Sequence, residues 1–188
     1  SPATINVWDW RKGKLISSAI GQAEKIFDIQ FNPLKDNTIV SAGVKHMVFW
    51  SLCGNALTPR KGVFGNIGDI QTMLCLAFGP EDITFSGTLS GDVYIWKDCN
   101  LDRVVSAAHN GPVYTLDMTG EGFATGGKDG VVKLWDIDFK AITTINIANT
   151  SVGYTGTPNT GLVVRAVCWR GDQLLIGTQD GEIFEVQA

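Results

Sequence analysis

Residues Gly122 to Asp136 read GFATGGKDGVVKLWD. Phe123 to Thr125 predicts a short strand and Val131 to Trp135 a second, with turn chemistry between them. Asp-Gly ahead of a β-branched run is a strong short-range hairpin signal. The stretch closes on Trp-Asp, and degenerate copies recur elsewhere. They are SAGVKHMVFWS at Ser41 to Ser51, SGTLSGDVYIWK at Ser86 to Lys97 and IGTQDGEIFEV at Ile176 to Val186, with a truncated INVWDW at Ile5 to Trp10.

The aromatic residues that close the copies are Trp8, Trp50, Trp96, Trp135 and Phe184, separated by 42, 46, 39 and 49 positions. A period near 40 with four short strands per unit marks the blades of an all-β propeller. Composition agrees: 22 glycines, 18% charged residues and no long run with helical periodicity point to strands and turns. The net charge of −4 argues against nucleic acid, which calls for a basic face. No apolar run reaches the roughly 18 residues of a membrane-spanning helix, and no signal-peptide pattern opens the sequence. No membrane partner is expected. The four cysteines (Cys53, Cys75, Cys99 and Cys168) form no C-x-x-C pair. They sit in or beside strands of three repeats, so buried, reduced thiols of a cytosolic protein are expected. The glycosylation sequon at Asn149 matters only in a secreted protein.

Each unit parses into four strands. The first complete one gives Ile26 to Phe31, Thr38 to Ala42, Met47 to Leu52 and a weaker Ala56 to Phe64. The second gives Met73 to Phe78, Ile83 to Gly87, Val93 to Trp96 and Arg103 to Ala107. The third gives Val113 to Met118, Phe123 to Gly126, Val131 to Trp135 and Ala141 to Ile147. The last gives Val164 to Trp169, Gln173 to Gly177 and Glu182 to Val186. This divides the chain into a partial blade (1–22), three blades (23–65, 66–108 and 109–148), a loop (149–161) and a second partial blade (162–188). Three blades and parts do not close a ring of six to eight, and an open stack exposes apolar blade faces. The residues are therefore expected to be an excerpt of a larger propeller that does not fold well alone. The alternative is a four-bladed ring whose last blade the N-terminal strands complete. The Gly, Thr and Asn cluster from Ala148 to Gly161 reads as a surface loop, with a binding role as the second reading.

The third blade holds a hydrogen-bonding set: His109 before its first strand, Thr125 in its second, Asp129 in the turn and Trp135 in its third. On paper a hydroxyl with a His-Asp pair resembles a catalytic triad. A hydroxyl buried against an indole is not presented to a substrate, so the set is expected to be structural. Other blades carry it only in part (Ser41 with Trp50, Ser86 with Trp96, Thr178 with Asp180), which implies blades held mostly by apolar packing. Gly122 to Asp129 falls one residue short of a phosphate-binding loop: the final hydroxyl residue is an Asp, and a strand follows instead of a helix. Asp98, Asn100 and Asp102 open like a calcium loop, but Arg103 stands where glycine is required. Only His46 and His109 are present, without a cysteine pair, so no zinc or other metal is expected. The innermost strands offer Asp28 and Asp117 but no converging set, so neither a catalytic residue nor a cofactor is predicted.

The turns at Val44 to His46, Leu89 to Asp92, Lys128 to Gly130 and Gln179 to Gly181 are expected on one rim. Lys45, His46, Tyr114, Lys128 and Arg165 are the candidate protein-binding residues there, since Arg and Tyr often anchor interfaces. Arg60 and Lys61 form a further small basic spot.

Four stretches carry a resemblance more specific than the Gly, Asp and Trp of any such repeat. They are Val44 to Gly65 (VKHMVFWSLCGNALTPRKGVFG), Asp82 to Lys97 (DITFSGTLSGDVYIWK), Gly122 to Phe139 (GFATGGKDGVVKLWDIDF) and Gly177 to Val186 (GTQDGEIFEV). By these the chain resembles the WD-repeat region of echinoderm microtubule-associated protein-like proteins. The resemblance implies tandem atypical propellers packed as one unit, no enzymatic activity, association with tubulin or microtubules, and a cytoplasmic, cytoskeletal location. The competing reading is a generic WD-repeat adaptor that grips a peptide of another complex.

Overall fold

The computed structural model describes residues 3–21, 24–149 and 162–187. Its seventeen strands, among the described residues, form five antiparallel sheets. Strands β1 (Thr4–Asp9) and β2 (Lys14–Ile20) make a two-stranded sheet. Blade 1 is β3 (Ile26–Phe31), β4 (Thr38–Gly43), β5 (His46–Cys53) and β6 (Ala56–Lys61). Blade 2 is β7 (Met73–Phe78), β8 (Ile83–Thr88), β9 (Val93–Lys97) and β10 (Asn100–Val105). Blade 3 is β11 (Val113–Met118), β12 (Gly122–Gly127), β13 (Val131–Asp136) and β14 (Ala141–Asn146). A fourth sheet has β15 (Val164–Arg170), β16 (Gln173–Thr178) and β17 (Ile183–Gln187). All are meanders, the solution for consecutive strands joined by tight turns. β1 and β17 lie in different sheets, so the four-bladed closure is not formed.

Strand ends depart from the sequence parse for local reasons. β10 begins at Asn100, because Asp98 takes a left-handed φ of 55° and, with Cys99, turns the chain within two residues. β6 stops at Lys61; Val63 then crosses to bridge Asn100 in parallel and covers the outer edge of blade 2. Pro59, which cannot donate to a ladder, is tolerated because β6 is an outermost strand.

Blades pack face to face through their alternating apolar residues. Between blades 1 and 2, Val40, Met47 and Phe49 meet Leu76, Tyr94 and Trp96, and Phe64 closes the cluster. Between blades 2 and 3, Phe85 and Ile95 meet Leu116, Phe123 and Trp135. Ala124 and Leu134 of blade 3 pack on Val167, Trp169 and Leu174. Each fully buried large side chain is worth about 1.5–3 kcal/mol, so these layers dominate cohesion. Trp8 is the exception among the repeat aromatics, being more than half exposed.

The innermost strands do not pair with one another, yet side chains link them. Asp28 accepts the Leu76 amide at 2.8 Å, and Gln30 donates to the Leu76 carbonyl at 3.3 Å. Thr115 accepts the Val167 amide at 3.2 Å, and Asp117 the Trp169 amide at 2.7 Å. Between β7 and β11 the corresponding residues are Cys75 and Ala77, and Cys75 makes only a 3.5 Å thiol contact with the Val113 carbonyl. Asp28 and Asp117 are thus structural acceptors. All four cysteines are free thiols, but only Cys75 is buried. Cys53 is exposed, against expectation, because it ends β5 at the turn into β6, the outermost strand of the blade.

Candidate functional site

The site is assembled from the hairpin turns between second and third strands and from the connections that lead into each first strand. One hydrogen bond repeats in every blade and ties the two together. Val44 N donates to Lys25 O at 3.0 Å, Leu89 N to Thr72 O at 3.0 Å, Lys128 N to Pro112 O at 2.9 Å and Gln179 N to Val163 O at 2.9 Å. These segments therefore share one rim.

The blade 3 set is a continuous relay. Trp135 Nε1 donates to Thr125 Oγ1 at 2.9 Å, Thr125 Oγ1 lies 2.7 Å from His109 Nε2, and His109 Nδ1 lies 3.0 Å from Asp129. Asp129 also accepts the Asn110 and Val131 amides. Burial pushes the His109 imidazole below its usual value, and Asp129 only partly opposes this. The neutral ring then donates from Nδ1 and accepts the threonine hydroxyl at Nε2, which satisfies every atom. Glycine is required beside it: a Cβ at Gly127 would sit 2.8 Å from the His109 ring, and one at Gly130, where φ is +73°, would sit 2.5 Å from Leu162 O. The hydroxyl faces an indole and an imidazole in the interior, so the relay clamps the turn and presents no nucleophile.

Blades 1 and 2 keep the inner half of this arrangement. Trp50 Nε1 donates to Ser41 Oγ and Trp96 Nε1 to Ser86 Oγ, each at 2.9 Å. Blade 2, which lacks the histidine, fixes its turn through Asp92: it accepts the Ala107 amide at 2.8 Å and the Ser90 hydroxyl at 2.7 Å, while Thr88 Oγ1 accepts the Asp92 amide. Thr178 and Glu182 repeat the pattern in the last sheet. The signal was present as TLSGD and TQDGE, a hydroxyl four residues before a carboxylate.

The candidate contact residues separate into two groups. Lys45 and Lys128 are exposed on the rim, and Arg165 is exposed with its guanidinium 4.2 Å above the Tyr114 ring. His46 does not join them. As the first residue of β5 its ring turns inward, where Nδ1 meets Val44 O at 3.0 Å, Nε2 is unpaired, and burial pushes its pKa down. Residues 150–161, which contain most of the loop given a second reading as a binding element, lie outside the described residues. Arg60 belongs to the opposite rim, where it makes a bidentate pair with Asp98 at 2.6 and 2.9 Å. Asp98, the first residue of the calcium-like stretch, is engaged by that pair. Among the described residues no group of three or more His, Cys, Asp or Glu could hold a metal ion.

A family model described as the echinoderm microtubule-associated protein first β-propeller matches residues 1–186. The chain belongs to that family. It is 29% identical over 185 residues to the 77 kDa echinoderm microtubule-associated protein of Lytechinus variegatus, covering 96% of this chain and 26% of that protein. It is 30% identical over 192 residues to echinoderm microtubule-associated protein-like 4 of Xenopus laevis, covering 93% of this chain and 20% of the relative. The chain thus spans about a fifth to a quarter of the length of these relatives. Among solved structures, the WD40 β-propeller domain of Doa1 superposes with a TM-score of 0.74 at 15% identity, over 97% of this chain and 56% of that one. A computationally designed protein, Ika4, superposes with a TM-score of 0.69 at 20% identity, over 93% and 98%. The fold is that of a WD-repeat propeller.

Proposed function

We propose that this propeller segment is a non-enzymatic scaffold that binds tubulin or microtubules, as part of a cytoskeletal microtubule-associated protein. The observation that carries the reading is the match to a family of microtubule-associated proteins over residues 1–186. The rim is consistent with it: Lys45, Lys128 and Arg165 have no carboxylate partner among the described residues. Unpaired surface cations steer acidic partners and are screened by salt.

The test is capture of purified tubulin dimer by the intact protein, at low and at moderate salt. Retention that weakens with salt and with Lys45→Glu, Lys128→Glu and Arg165→Glu supports this rim as the contact. Retention indifferent to all three moves the contact to another face. Loss of retention under every condition leaves the generic adaptor ahead.

A further inference from the structure

Residues Thr58 to Lys61 read TPRK, a stretch that neither the rim nor the relay uses. The chain has three Ser/Thr-Pro dipeptides, at Ser1, Thr58 and Thr157, and of these Thr58 alone has a basic residue three positions on. All four residues are exposed and lie in β6, the outermost strand of blade 1. The segment is therefore already extended, and a single ladder holds it. Pro59 has no N–H, so a segment docked in an enzyme cleft leaves no donor unsatisfied at that position. Among the described residues no side-chain hydrogen bond engages the Thr58 hydroxyl.

The surroundings give a phosphate on Thr58 a destination. Thr58 pairs across the ladder with Ser51, and Arg60 with Phe49. Both side chains thus share the face that Phe49 turns towards blade 2. Two positions apart on an extended strand, they stand about 7 Å from one another. Arg60 spans the joint to Asp98 at 2.6 and 2.9 Å, and Lys35 spans it to Asp82 at 2.8 Å. Both pairs are open to solvent, where ion pairs are weak and readily exchanged. A phosphothreonine carries a charge of about −1.5 to −2 and three acceptor oxygens. It offers the guanidinium a two-pronged contact within its own strand.

We infer that Thr58 is a phosphorylation site for a proline-directed serine/threonine kinase, and that its phosphate takes Arg60 away from Asp98. The kinase transfers the γ-phosphoryl group of a nucleoside triphosphate. The bond from Thr58 Oγ1 to phosphorus forms, the bond from phosphorus to the β–γ bridging oxygen breaks, and the hydroxyl proton passes to the kinase's base. β6 peels from β5 to enter the cleft, a local opening that leaves the three inner strands paired. With the phosphate in place, the clasp between blades 1 and 2 keeps Lys35–Asp82 and loses Arg60–Asp98. Asp98 then faces added negative charge. The inference stands apart from the tubulin reading, since neither its residues nor its test depends on it.

The experiment treats the intact protein, and a synthetic peptide of residues 54–65, with magnesium ATP and a purified proline-directed kinase that prefers a basic residue three positions after its target. Mass spectrometry of proteolytic fragments reads the site. Phosphate is expected on Thr58 of both substrates. Pro59→Ala should abolish it, and Lys61→Ala should slow it about tenfold, the loss of one ionic contact. A peptide left unmodified, a modified peptide beside an unmodified folded protein, or indifference to Pro59→Ala overturns the inference. Phosphorus NMR then follows the second ionisation of the phosphate, which is about 6 when unperturbed. It should fall lower in the wild-type phosphoprotein than in Arg60→Gln, with Arg60→Lys between them. Arg60→Lys serves alone should circular dichroism show Arg60→Gln misfolded. A titration indifferent to Arg60 overturns the exchange of partners.

Discussion

Thr125→Val is the perturbation that the blade 3 relay makes most informative. The two side chains have nearly the same shape, so the change removes a hydroxyl and little else. Thr125 is fully buried, and its oxygen serves both Trp135 Nε1 and His109 Nε2. Valine strands both nitrogens. Each buried polar group left unpaired costs about 1–3 kcal/mol, so the loss is about 2–6 kcal/mol. Ser41→Ala in blade 1 strands only Trp50 Nε1 and should cost about 1–3 kcal/mol by the same rule. The assay is native-state hydrogen exchange on the intact protein, resolved to peptides of β11 to β14, where each 1.4 kcal/mol is tenfold in rate. Blade 3 amides should exchange roughly 30-fold to 10⁴-fold faster in Thr125→Val. A Thr125→Val effect no larger than that of Ser41→Ala would refute the claim that one hydroxyl satisfies two buried partners.

Further outcomes are expected. Gly91→Ala should disrupt the β8–β9 turn where it meets the connection at His109 and lower the melting temperature, since φ is +104° and the new Cβ would lie 2.2 Å from His109 O. Both histidines have folded-state values below the unfolded 6.5. The unfolded chain therefore protonates first, and stability falls as pH drops through about 6.5 and levels off beneath the folded values. Urea midpoints at several pH values, repeated with His46→Gln and His109→Gln, should show this slope flatten in each variant. A double-mutant cycle on Arg60 and Asp98 should return about 0–1 kcal/mol despite the bidentate geometry, because both side chains are 50% and 44% exposed. Cys53 should react with a thiol reagent in the native protein. Cys75, whose thiol burial pushes far up, should react only on unfolding, as mass spectrometry of labelled peptides would show.

Much of this was legible in the residues, because periodicity and turn chemistry are local signals. The Asp-Gly turn, the β-branched runs and the Trp spacing set out three four-stranded units, and the donor and acceptor types of His109, Thr125, Asp129 and Trp135 announced their relay. What escaped depended on geometry between neighbours. The start of β10 turned on a left-handed Asp98, a conformation that Asp adopts more readily than most residues but does not announce by its presence. His46 looked like a rim residue by position, yet its register opposite Gly43 turns the ring inward. The bulges that leave Phe27, Leu74, Tyr114 and Arg165 outside the ladders of the innermost strands share no residue type, so only the pairing register reveals them.

The links along the channel wall have a mechanical corollary. Blade 1 is riveted to blade 2 through Asp28 and Gln30, and blade 3 to the last sheet through Thr115 and Asp117. Among the described residues the joint between blades 2 and 3 has only the Cys75 thiol contact with Val113 O in that place, and it relies on its aromatic filling, with Phe85 against Phe123 at 5.1 Å. Under load or thermal agitation this joint should be the fault line along which the segment parts into two halves, each moving as a plate. The inner amides of Leu116 and Met118 should accordingly take up deuterium before those of Val167 and Trp169.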